Sequence, residues 1–185
     1  MRVLIVGIAC VGKSTVGRYL ADKWGYTFID FDFEVEKRLN EHITSLKNRS
    51  LNEYGYRQLV KHVLRDVLNE YHSNLIIAMP PGGLFREYYN YIKLNPDIIS
   101  VALKDRAKEV MKRLTFYDDE SRFMPDYRIT ERTYAHYYNE VKEDIAYFHP
   151  QYKKKANILF DMDGRTAQAV TDALAERIIE YVNNA

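Results

Sequence analysis

This chain has little of what builds cross-linked, linker-joined or membrane-spanning proteins. One cysteine, Cys10, stands among 185 residues, so no intrachain disulfide can form. Such cysteine usage suits a reducing compartment, and the expected location is the cytoplasm. Glycine and proline are scarce, at eight and five residues, and no Gly/Ser- or Pro-rich linker marks a boundary. A single domain over residues 1–185 is expected. Neither sign of charge is in excess: 27 Lys and Arg face 26 Asp and Glu, leaving a net charge of +1. That balance gives no overall field for nucleic acid or an anionic membrane, and neither partner is expected. No apolar run approaches the ~20 residues that cross a bilayer. No secretory leader is visible, because the first apolar run leads straight into a glycine loop. The guanine-specifying Asn-Lys-x-Asp of a GTPase is absent. The five histidines show no metal-binding spacing.

What is present is concentrated at the start. Gly7-Ile8-Ala9-Cys10-Val11-Gly12-Lys13-Ser14-Thr15 fits G-x-x-x-x-G-K-[ST], the phosphate-binding P-loop. It follows Arg2–Val6, an apolar β-branched run that reads as a buried strand. It runs into Lys13–Lys23, which reads as a helix. In this context backbone N–H groups and a helix N-terminus converge on one point and attract an anion. Gly7 and Gly12 let the backbone approach a phosphate closely. Lys13 can reach the β- and γ-phosphates, and the Ser14 hydroxyl can meet Mg²⁺. Thr15 adds a backbone N–H, and Val11 lies within the nucleotide-binding loop. ATP and Mg²⁺ are thus the expected cofactors.

Strand-like and helical patterns alternate along the chain. The apolar runs are Arg2–Val6, Thr27–Asp30, Asn74–Met79, Ile98–Leu103 and Asn157–Asp161. Helical patterns cover Lys13–Lys23, Phe33–Asn40, Asn52–Tyr71, Leu84–Leu94, Arg106–Phe116, Thr130–Phe148 and Thr166–Val182. Leu59, Val63, Val67 and Tyr71 form one apolar helix face. This alternation implies an α/β fold, a parallel sheet with helices on both sides in three layers. Ligands of such sheets bind beyond the carboxyl ends of the strands. After the second strand stand Asp30 and Asp32, which point the same way on an extended chain. A kinase of this type needs one carboxylate for Mg²⁺ and a second group to orient the acceptor hydroxyl. Asp30 and Asp32 are the obvious suppliers. Two polar segments, 40–51 and 117–129, read as loops that can close over substrates. Arg122 is the candidate lid arginine for stabilising transferred charge.

Gly12–Arg18, Phe28–Asp32 and Val35–Arg38 resemble the shikimate kinase family. The likeness continues at Asn52–Arg57, Pro81-Gly82-Gly83, Val110–Leu114 and Asp163–Thr166. This resemblance implies a P-loop kinase of the nucleoside-monophosphate-kinase-like branch, with five parallel strands ordered 2-3-1-4-5 and a lid. It implies that Asp30 works on Mg²⁺ through water, and that Asp32 and Arg57 grip the acceptor by hydroxyl and carboxylate. It further implies that Gly82 and Gly83 contact acceptor hydroxyls, that Arg113 lies beside the nucleotide base, and that residues of about 31–60 bind the acceptor. Arg–carboxylate pairing is strong and bidentate, which suits an acidic acceptor.

Three places depart from the family pattern. Pro81 replaces the first glycine of a triplet, removing a backbone donor. The lid has Arg122-Phe123-Met124-Pro125 instead of Arg-Pro-Leu. Phe148 stands four residues before Tyr152, where the family has a second carboxylate-binding arginine. Losing it changes the acceptor or weakens its binding by on the order of several kcal/mol. Arg128 and Arg132 are the nearby substitutes. The expected activity is transfer of the ATP γ-phosphoryl group to a hydroxyl of a small, carboxylated metabolite by a monomer or weak dimer. The alternatives are a kinase for a sugar acid or nucleotide, and a catalytically degenerate ATP-binding regulatory module.

Overall fold

The computed structural model describes residues 1–118, 120, 122–125 and 127–184. Asp119 and Asp126 of the expected lid lie outside the described residues. Five parallel strands form one sheet: β1 (Arg2–Val6), β2 (Thr27–Asp30), β3 (Leu75–Ala78), β4 (Ile98–Lys104) and β5 (Ile158–Asp161). Their order is β2-β3-β1-β4-β5, as expected. Val3 sits between Ile76 of β3 and Ile99 of β4 in register. β1 and β3 are buried along their whole length. Strands covered on both faces need continuous apolar runs, and these sequences supply them. Each fully buried Val, Leu or Ile contributes roughly 1.5–3 kcal/mol.

Helix α1 (Lys13–Trp24) follows β1, and Gly17 lets it close on the sheet beside Phe28. The second helix, α2 (Phe31–Leu39), starts two residues earlier than its sequence pattern indicates. Asp30 is therefore its N-cap residue and Asp32 lies in its first turn. The extended geometry expected for that pair is replaced by a strand-to-helix corner. The polar stretch 40–51 is not all loop, since α3 (Ile43–Asn48) forms there with Leu46 buried. Helix α4 (Glu53–Glu70) is capped by Asn52, whose side chain accepts from the Gly55 N–H at 2.9 Å. Pro81–Leu84 forms one 3₁₀ turn with Pro81 at its first position. A proline there forfeits an N–H that a helical turn leaves unpaired anyway.

After α5 (Arg86–Lys93) and β4 comes a short α6 (Ala107–Met111), which stops well before Phe116. Helix α7 runs from Glu131 to Lys155, straight through Pro150. The sequence pattern ends this helix at Phe148, because an internal proline removes one hydrogen bond. Tertiary anchors beyond Pro150 outweigh that loss. Tyr152 donates to the Pro81 carbonyl at 2.9 Å, and Lys155 Nζ donates to the Leu84 carbonyl at 2.8 Å. Helix α8 (Ala167–Asn184) packs on α1.

Candidate active site

The loop from Gly7 to Gly12 joins β1 to α1 at the carboxyl edge of the sheet. A Cβ on Gly7 would lie 2.7 Å from Val11 Cγ1 and 2.8 Å from the Leu103 carbonyl, at a φ of +157°. Only glycine fits there without displacing β4. Gly12, at a φ of 112°, is the N-cap residue of α1. The first N–H groups of α1, from Lys13 to Thr15, have no carbonyl one turn back within the helix, which leaves them available to an anion. Lys13 Nζ donates to the Ile8 carbonyl at 2.8 Å, tucked into the loop. Burial pulls its ammonium below the ordinary lysine range, opposed by Asp32, Cys10, Asp30 and Asp144.

Ser14 Oγ donates to Asp30 Oδ2 at 2.6 Å. A hydroxyl and a carboxylate side by side are the hard oxygen donors that a hard dication prefers, so this pair suits Mg²⁺. Arg113 lies in the turn after α6 and braces the loop. It donates to Asp105 at 2.7 Å and to the Val11 carbonyl at 3.1 Å. Its partner is thus Asp105, not Glu109, which pairs with Lys112 instead. The Asp105 carboxylate is fully buried, so Arg113 fixes the wall of the loop.

Beside the P-loop opens a cavity of about 280 Å³. Asp32, Arg57, Pro81, Gly82, Phe85 and Phe148 are among its walls. Helix α2 brings Asp32, α4 brings Arg57, and the 3₁₀ turn brings Gly82. Burial, then the charge of Asp30, raises the Asp32 carboxyl from 3.8 to about 6, against the pull of Lys13 and Lys47. Arg57 lies 4.7 Å over the Phe85 ring and pairs with Glu87 at 3.2 Å. Both members of that pair are largely buried.

The sequence-predicted acceptor residues do not all meet here. Gly83 is absent from the cavity wall. A Cβ on it would lie 2.6 Å from Met79 Cβ and 3.0 Å from Val6, so its need for glycine is one of packing. Phe148 lines the cavity, its ring centroid 5.8 Å from that of Phe85. Arg128 and Arg132 do not replace it: neither lines the cavity, and Arg128 turns back onto the Pro125 and Tyr127 carbonyls. Arg122 is exposed in the segment 117–129 and binds Asp118 at 2.8 Å and Glu120 at 2.7 Å. Tyr117 and Phe123 bridge that segment, and Thr115 touches Cys10 of the P-loop at 3.6 Å.

Sequence reasoning missed several cavity residues: Lys47, Glu53, Tyr56, Tyr88, Asp144 and Tyr147. Tyr56 precedes Arg57 within the quoted segment, and Asp144 lies four residues before Phe148. Helical spacing alone would have put Asp144 and Phe148 on one face.

Comparison with known proteins agrees with this geometry. The shikimate kinase family model matches residues 9–180. A shikimate kinase of Azobacteroides pseudotrichonymphae is 25% identical over 177 residues, covering 96% of this chain and 99% of the relative. One from Nitrosomonas europaea is 27% identical over 176 residues, covering 95% of this chain and 77% of the relative. Among solved structures, shikimate kinase from Acinetobacter baumannii in complex with shikimate has a similar fold. It superposes with a TM-score of 0.76 at 22% identity, covering 97% of this chain and 93% of that one. A family match over residues 9–180, with a relative covered almost end to end, leads to one assignment: the chain belongs to the shikimate kinase family, ATP-dependent phosphotransferases that act on a hydroxyl group.

Proposed function

We propose that this chain phosphorylates a hydroxyl of shikimate or a close ring analogue that bears a carboxylate, using ATP and Mg²⁺. The observation that carries this reading is that the P-loop and the acceptor cavity adjoin: Asp30, which accepts from Ser14 of the P-loop, is the N-cap residue of the helix whose first turn brings Asp32 to the cavity wall. The relative solved with shikimate supports the acceptor class.

Each residue then has a defined task. The N–H groups of Gly12 to Thr15 and the Lys13 ammonium receive the phosphates. Ser14 and Asp30 would hold Mg²⁺, which neutralises charge on the phosphate oxygens when bound. Arg57 binds the acceptor carboxylate, and Gly82 borders it. Asp32 accepts the proton of the attacking hydroxyl. The acceptor oxygen forms its bond to the γ-phosphorus as the bond to the bridging oxygen breaks, and ADP leaves. A carboxyl at about 6 is mostly ionised at neutral pH and close enough in basicity to take that proton. Arg113 and Val11 hold the nucleotide loop. Arg122 comes from the lid, residues 117–129, to the transferred group. The whole is one domain acting as a monomer or weak dimer.

The test is coupled ADP release with shikimate, a sugar acid and a nucleoside monophosphate as acceptors, with the product identified by mass. Shikimate or its ring analogue is expected to drive release. Turnover with the nucleotide or sugar acid alone would overturn the assignment.

A further inference from the structure

The charges of the acceptor cavity are unequally answered. Lys47 pairs with Glu53 at 3.2 Å, and Arg57 pairs with Glu87 at 3.2 Å. Two more carboxylates line the wall, Asp32 and Asp144. Among the described residues neither has an ion-pair or hydrogen-bond partner. Asp32 is taken by the acceptor hydroxyl in the reading above, so Asp144, whose nearby cation Lys13 is bonded to the Ile8 carbonyl, is left without a direct partner. The phenol oxygens of Tyr56 and Tyr88, both on this cavity, are buried without any hydrogen-bond partner among the described residues. Buried phenols of this kind are costly unless a ligand supplies the missing partner, whereas the partly buried carboxylates of Asp32 and Asp144 are open to one from the cavity.

Asp144 does not stand alone. It shares one face of α7 with Tyr147 and Phe148, three and four residues on. The rings of Phe85, Tyr147 and Phe148 form a cluster, with centroids 4.9 to 6.1 Å apart. The negative faces of aromatic rings beside a carboxylate attract a cation and repel an anion. On this side of the cavity, where the family resemblance places an arginine, the chain thus offers the opposite electrostatic character. Arg57, paired with Glu87, still suits one carboxylate at the α4 side.

We propose that Asp144 is the specificity-determining residue of the acceptor site and that it selects an acceptor bearing a protonated amine as well as a carboxylate and hydroxyls. The inference rests on the acceptor-site reading above: Arg57 receives the carboxylate, Asp32 the reacting hydroxyl, and Asp144 with the aromatic cluster the ammonium group. No new bond is made at Asp144. Its action is to bind one end of the molecule and so to orient the hydroxyl at Asp32.

The test compares shikimate with analogues in which one ring hydroxyl is replaced by an amine, using ADP release in saturating ATP. At least one amine analogue is expected to exceed shikimate in kcat/KM by about tenfold, the scale of one well-placed charge-assisted contact. Asp144→Asn should lower the amine analogue by about tenfold and raise shikimate, because a repelling charge is gone. Phe148→Arg should shift preference toward shikimate still further. That reciprocal change is not what simple loss of structure produces, and ATP KM should stay the same in both variants. Shikimate preferred over every amine analogue, with both substrates falling together in Asp144→Asn, overturns the inference while leaving the kinase reading intact. Absence of turnover with all of them in the wild type overturns both.

Discussion

The two halves of the active site are built in opposite ways. On the nucleotide side the polar side chains are answered within the chain, and the first N–H groups of α1 await an anion. Ser14 holds Asp30, Lys13 holds Ile8, and Arg113 is locked between buried Asp105 and the Val11 carbonyl. Gly7 fits against Leu103 with no room for a methyl group. On the acceptor side Asp32 and Asp144 lack partners among the described residues, two phenols are buried unsatisfied, and Phe148 lines the wall. The difference teaches which half is general and which is particular. Every substrate pair of such a kinase shares the same phosphates, so one rigid anion loop serves them all. The acceptor side must be completed by its own ligand, and unanswered polar groups make the wrong ligand costly.

Replacing Lys13 should break the general half with the largest effect. Lys13→Ala is expected to lower kcat about 10³-fold, as loss of a charge on the transferred group does. Its thermal midpoint should not fall, because an ammonium held at a desolvation cost is removed. Steady-state rates and a melting curve check both parts. Arg57→Ala should break the particular half alone. The acceptor KM is expected to rise about 10²-fold, the scale of losing a buried charge-assisted contact, with ATP KM little changed. Equal rises in both would deny Arg57 its place on the acceptor side. Gly83→Ala sharpens the boundary between packing and recognition. Its new methyl meets Met79 and Val6, so stability should fall by about 1–3 kcal/mol in denaturant unfolding. No selective effect on acceptor KM is expected.

How far the sequence reaches follows the same division. The P-loop was legible because its physics is local: glycines, a lysine and a helix start lie within nine successive positions. The sheet was legible because buried parallel strands read as apolar runs. Asp30 and Asp32 stand out in the sequence, but not their geometry, since the start of α2 at Phe31 depends on how β2 meets the helix. Pro81 reads as a defect in sequence, yet sits where a turn needs no N–H. Asp144 and Tyr147 fall inside the helix expected over Thr130–Phe148, but which face of α7 meets the cavity depends on tertiary packing. The anchors that carry α7 through Pro150, Tyr152 to Pro81 and Lys155 to Leu84, join residues 71 apart. Gly83 and Gly82 look alike in sequence, and only packing separates them.

The central claim is that Asp32 joins the two halves by taking the acceptor proton. Its carboxyl is raised from 3.8 to about 6, mainly by burial. The folded state therefore holds this proton more tightly than the unfolded chain. That contribution to stability is full below 3.8 and is lost as pH rises through about 6. Asp32→Asn removes a partly buried charge at neutral pH and should raise stability there by about 1–2 kcal/mol, solvent screening taking the rest. In the wild type, kcat/KM should fall about tenfold per pH unit below about 6, as the base is protonated. The most direct measurement is acceptor-dependent ADP release by Asp32→Asn at neutral pH beside its ATP affinity. We expect ATP binding to be retained and turnover to drop by about 10²-fold or more. Undiminished turnover in that variant, with the acid limb still near pH 6, would contradict the account.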